Sequence, residues 1–267
     1  MVVVRDDVLD VADEPFPAHH GEMVTTRITT VLIALTLGTT LLIGGGLLAS
    51  PALADPVDTT TAPTPDGFTY QPLWPFASQG EADRWLRDGA DAGGAPWHAD
   101  PKTTALSFAR DYLGFAEIDR TTTVTEHVDE AWVGVGYALP SGESSTAATI
   151  HLARFGTASN APWEVVGSVD DDLTLSTPRY GSTTGTVIEA GGTVTGVDES
   201  LHLQVRQSTH DDVLGDHCCV SAGGDSRPWS ATFSTSPPQP GALTLVVWTG
   251  GHVAKVEKFT ITGLRAQ

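Results

Sequence analysis

Two cysteines stand side by side in GDHCCVSAGG (215–224), with His217 before them and a Gly pair after, and the chain has no others. Three ligand-bearing side chains in a row raise the question of a metal. A tetrahedral zinc site normally separates its cysteines by two to four residues, so that one segment can wrap the ion. Adjacent Cys218 and Cys219 lack that separation, and no metal centre is expected. A disulfide between neighbours holds the Cα atoms about 3.8 Å apart, short of the usual range of roughly 4.4–6.8 Å. It also closes too short a loop to restrain the unfolded chain. Two outcomes stay open: a vicinal bridge that stiffens a turn, or two free thiols on opposite faces of a strand.

Other clusters of polar residues lack the partners that chemistry would need. Gly-Asp-Ser in GGDSRP (223–228) lacks the glycines of a serine-protease loop after Ser226, and Arg227-Pro228 follows instead. The chain has no G-x-S-x-G elbow. Asp170-Asp171-Asp172 lacks the alternating ligands and glycine of a calcium loop. His98 and Asp100 lie two apart, but Asp100 precedes Pro101 and is placed to cap a helix. The spacing therefore predicts no catalytic set, no metal and no cofactor. The alternative is a secreted enzyme, or a subunit of one, that assembles His98, Asp100, His127 or His151 in a cleft. Among seven tryptophans, Trp132, Trp163, Trp229 and Trp248 fall in strand patterns and are expected in cores. Trp74 and Trp97 flank Pro-containing loops and are the candidates for an exposed contact surface.

The compartment follows from residues 31–48, which carry no charge, with Arg27 before them and Ala52-x-Ala54 after. A basic flank, an apolar run and a small-residue end describe a secretory signal peptide, cleaved after Ala54. The alternative is a retained membrane anchor. Residues 1–22 are acidic and suit a signal peptide poorly, so Met23 is the better start, with 23–54 as the signal. The removed part holds Arg5, Arg27 and six acidic residues, which leaves 12 basic and 27 acidic residues and a net charge of −15. That balance disfavours nucleic acid and anionic lipid. It suits an extracellular or cell-envelope protein, in contact with a membrane only if the apolar segment stays.

Residues 55–72 are rich in Thr and Pro and read as an extended linker. Ser78 and Glu81 predict a capping box. Asp100-Pro101 predicts a second helix, with Ala105, Phe108, Ala109, Tyr112 and Leu113 on its buried face and Gly114 at its end. Period-two strands follow in 121–128, 131–139, 146–155 and 161–169, with a short one at 170–175. Helices followed by an antiparallel meander make residues 73–180 an α+β domain, loosely similar to cystatin-like or NTF2-like secreted domains. After a break at GSTTG (181–185), short alternating strands predict an all-β immunoglobulin-like sandwich over 185–265.

The elements GGTVTG (191–196), LHLQVR (201–206), RPWSATFS (227–234), ALTLVVW (242–248) and KVEKFTITG (255–263) carry a resemblance. With them, the C-terminal stretch resembles the Gmad2 family, the immunoglobulin-like domain of bacterial sporulation and germination proteins. The resemblance implies an extracellular interaction module with no catalytic residues. The expected function is a non-enzymatic envelope protein whose partner is another envelope protein or a cell-wall component.

Overall fold

The computed structural model describes residues 67–89, 96–196, 200–210 and 212–267. The expected upstream extension, the signal peptide and the linker up to residue 66 lie outside the described residues. Within them the chain is mostly β-sheet with few helices, an arrangement compatible with a β-sandwich. No helix among the described residues is long and apolar enough to cross a membrane.

Both helix caps form as their residues require. Ser78 Oγ accepts from the Glu81 amide at the start of α1 (Gln79–Arg84), and Glu81 reaches back to the Ala77 amide at 2.8 Å. Asp100 accepts from the Lys102 amide and the Thr103 hydroxyl at the start of α2 (Pro101–Ser107). Each helix widens into a π turn, Trp85–Gly89 and Phe108–Tyr112. Gly114, at φ +81°, lets the chain leave the second one.

Four strands then form an antiparallel meander in the order β1 (Arg120–Glu126), β2 (Glu130–Ala138), β3 (Ser144–Arg154) and β4 (Trp163–Val169). Its inner face presents Val133, Val135, Ile150, Leu152 and Val165 to Ala105, Phe108 and Leu113 of the helical segment.

A five-stranded sheet follows in the order β5 (Thr183–Thr184), β11 (Lys258–Ala266), β10 (Ala242–Thr249), β7 (Ser200–Arg206) and β8 (Gly215–Ser221). The pair β6 (Val187–Val194) and β9 (Arg227–Ser234) faces it. Leu201, Leu203, Val205, Leu243, Leu245 and Val247 meet Ile188, Trp229, Ala231 and Phe233 in a second core. Alternation along the strands dictates that face, as expected from sequence.

The opposite face of the five-stranded sheet is also covered. Val246, Phe259 and Ile261 belong to the same core as the meander and the helix. The stretches 73–180 and 185–265 thus share apolar packing. Two local expectations change. Residues 170–175 pair as an isolated bridge, Leu173 to Val194, and Leu173 packs in the second core. Gly192 permits this approach, because a Cβ there would collide with the Thr174 carbonyl. The end of the expected linker also packs. Phe68 lies on Phe155, and Gln71 is held by Tyr180 and Arg265, because its apolar and amide groups find partners in the folded chain.

Candidate functional site

Trp74 and Trp97 come together although 22 residues separate them in sequence. Leu73 and Trp74 pair onto β4 through Leu73 N to Val165 O at 3.0 Å and Val165 N to Trp74 O at 2.7 Å. Trp97 sits in the 3-10 turn Pro96–Ala99, whose position is fixed by the Asp100 cap and by Thr104 Oγ1 donating to the Trp97 carbonyl at 3.0 Å. The two indoles stack with centroids 5.2 Å apart and 20° between planes. Trp74 is also nearly parallel to Tyr112, at 5.9 Å and 28°. Phe108, behind them at 6.0 Å, ties the strip to the core. Both tryptophans are half-buried rather than fully exposed.

A cleft of about 370 Å³ opens beside this strip, lined by Trp74, Asp111, Tyr112, Arg206, Ser208 and His210. Arg206, at the end of β7, carries its guanidinium 5.8 Å over the Tyr112 ring. Its Nε donates to Gln204 Oε1 at 3.3 Å and its NH2 group to the Leu113 carbonyl at 3.4 Å. Burial pushes the Tyr112 phenol up to about 12. It also holds the Arg206 guanidinium below its ordinary value. Trp74 and Tyr112 come from the first half of the chain, and Arg206 comes from the second.

The histidines and acids weighed for catalysis do not converge. His98 is buried among Phe76, Trp85 and Trp97, and burial lowers its pKa to about 4. Asp100 is occupied as a cap. His127 meets Trp132 edge-on, and His151 stacks on the same indole at 4.7 Å and 5°. Ser226 lies in the turn before β9, with its hydroxyl on Asp225 and its amide on Thr195. Asp170 accepts from the Asp172 and Leu173 amides, and Lys258 bridges Asp170 and Asp172. No group of three His, Cys, Asp or Glu residues among the described residues is arranged to hold a metal ion.

Sequence reasoning missed a second polar cluster. The Tyr70 hydroxyl donates to Glu130, His151 Nε2 lies 4.0 Å from the other Glu130 oxygen, and the Tyr70 ring meets His151 edge-on. Clefts of about 480 and 580 Å³ flank Tyr70. The Tyr70 hydroxyl and Glu130 in this cluster are already paired with each other. The signal for it was the aromatic pair Phe68 and Tyr70 in GFTYQP (67–72), at the end of the Thr- and Pro-rich stretch 55–72 that reads as linker.

Cys218 and Cys219 are joined by a disulfide on β8, the edge strand. Leu203 pairs with His217 and Leu201 with Val220, so the two cysteines together oppose the single residue His202. The pair is therefore a β-bulge, with Cys219 at φ +72°. The extra residue restores the inward phase. His217 stacks on Phe233, Val220 packs on the second core, and both cysteines stay outside. A bulge on an edge strand also discourages pairing with another chain. Reduction is expected to speed amide exchange across 216–221. It should move the thermal midpoint by less than about 2 °C, because so short a loop restrains the unfolded chain little. A calorimetric scan with and without phosphine reductant checks this, and a large fall would show the bridge to hold more than its own turn.

No protein-family model matches the chain, and no curated protein is significantly similar to it.

Proposed function

We propose that this chain is an exported, envelope-associated and non-enzymatic binding protein whose partner is a cell-wall component. In this reading, residues 185–265 form a Gmad2-type immunoglobulin-like module and residues 73–180 a cystatin- or NTF2-like α+β domain. The signal peptide over 23–54 delivers them to the envelope. The family resemblance extends the reading to sporulation or germination processes.

The observation that carries the proposal is the near-parallel stacking of Trp74 on Trp97 and Tyr112 beside an open cleft. Half-exposed aromatic rings supply a large, rigid apolar area with little entropy to lose on binding. The apolar C–H faces of sugar rings in wall polymers suit contact with the part-exposed edges of such a strip. The acidic balance of the chain fits a partner that is not nucleic acid.

Sedimentation with isolated cell walls tests the reading. The wild-type protein is expected to pellet with walls. Trp74→Ala should weaken retention by about tenfold or more, as for truncation of a central aromatic contact. Failure of the wild type to pellet, or equal pelleting of Trp74→Ala, would overturn it.

A further inference from the structure

We propose that the cleft beside Trp74 takes a carboxylate-bearing saccharide, with the sugar ring on the aromatic strip and the carboxylate on Arg206. This inference rests on the wall-binding reading above and names the ligand class.

The chain has 33 acidic residues against 14 basic ones, and its ion pairs engage only some of the cations. Arg110 pairs with Asp111, Arg120 with Asp119, and Lys258 with Asp170 and Asp172. Arg206, like the half-buried Arg154, has only neutral partners, and it is set apart by its place in the cleft beside Trp74. Its acceptors are the Gln204 amide oxygen and the Leu113 carbonyl, both neutral. No carboxylate among the described residues lies within ion-pairing distance of it. Asp111 also lines the cleft, but it is already engaged by Arg110 at 3.2 Å.

Arg206 is half-buried and cannot give up its proton, since guanidinium stays charged throughout the accessible pH range. Burying an unbalanced charge is costly unless an opposite charge and hydrogen bonds complete it. Two of the five N–H groups of a guanidinium are used here, and the remaining donors suit a planar, bidentate acceptor. A carboxylate meets that description. Because Trp74 and Arg206 line the same cleft, one ligand touches both. A volume of about 370 Å³ is at the small end of ligand clefts, which fits one or two sugar rings rather than a long segment.

Calorimetric titration with matched ligands tests the proposal on the full chain. A muramic-acid disaccharide and a uronic-acid disaccharide are each compared with the same sugar after its carboxyl is reduced to an alcohol. Each acid is expected to bind about tenfold more tightly than its reduced form, with the difference shrinking in high salt. Which acid binds better identifies the source of the carboxylate. Arg206→Gln should remove the difference between each acid and its reduced form. Arg206→Lys should keep only part of the difference, because it retains the charge without the fork. Trp74→Ala should weaken acid and alcohol alike.

Equal binding of acid and alcohol by the wild type would overturn the carboxylate assignment. So would a preference that survives Arg206→Gln, or tighter binding of a glycerol-phosphate oligomer than of either acid. If walls still pellet the protein in any of those cases, the binding reading stands and only the ligand class falls. If neither walls nor any sugar is bound, both fall.

Discussion

Phe259→Ala is expected to unfold both halves of the chain together and to cost about 3–5 kcal/mol, a large share of the stability of an ordinary domain. Phe259 is fully buried on β11, in the five-stranded sheet. Its ring meets Phe115 edge-on at 5.2 Å, and Phe115 in turn lies 5.4 Å from Trp248. The core around it contains Val133, Ile150 and Leu152 of the meander as well as Val246 and Ile261 of the five-stranded sheet. Truncating this ring removes contacts from both sets at once. The folded residues should therefore melt in a single transition. Urea unfolding followed by circular dichroism and by tryptophan fluorescence should give coincident curves in the wild type, with the Phe259→Ala midpoint lowered for both probes. Two separated transitions, with only one moved by the substitution, would show that the halves fold independently.

That shared core also marks the limit of what the sequence could reveal. Capping residues act within a few positions, so Ser78 and Asp100 announced their helices. Alternation acts within one strand, so Leu201, Leu203 and Val205, and likewise Trp229, Ala231 and Phe233, announced the face they bury. The covering of the other face is a long-range fact. The run ALTLVVWT held a hint of it, because Val246 and Trp248 add apolar residues where a one-sided strand would place polar ones. His202, Gln204 and Arg206 alternate with the buried residues of β7 and so share one face, but that this face meets Trp248 and Tyr112 is again a long-range fact. Trp74 and Trp97 were legible as contact candidates, yet their stacking depends on the pairing of Trp74 with Val165, which no local pattern encodes. The cysteine pair was legible as a local device. Its role as a phase-restoring bulge needed the register against Leu201 and Leu203.

Glu164→Gln is expected to flatten part of the pH dependence of stability, and Glu164→Ala to destabilise the protein by about 2–4 kcal/mol near pH 5, where the folded wild type holds the carboxyl protonated. Glu164 is fully buried on β4, where its Oε2 accepts from the Phe76 amide at 3.1 Å and its Oε1 has no hydrogen-bond partner. Burial raises its pKa well above the usual carboxylate range, and backbone interactions with Phe76 and Trp74 oppose the rise only in part. The sign follows from proton counting. Between the unfolded value, about 4.3, and the raised folded value, the folded state holds a proton that the unfolded state has released. The stabilisation is complete below that window and is lost as pH rises through it. His98 acts in the opposite sense. Its folded pKa of about 4 lies below its unfolded value, so its contribution is present above about 6.5 and is lost on acidification toward 4. The two overlap between these limits, so the wild-type curve alone separates neither. Glu164→Gln keeps an acceptor for the Phe76 amide and carries no charge at any pH. The difference in thermal midpoint between Glu164→Gln and wild type should therefore move in favour of the variant as pH rises from 5 to 9, while the His98 contribution cancels. A difference that stays constant across that range would mean that Glu164 is ionised throughout in the folded protein, with a partner the buried site must then supply.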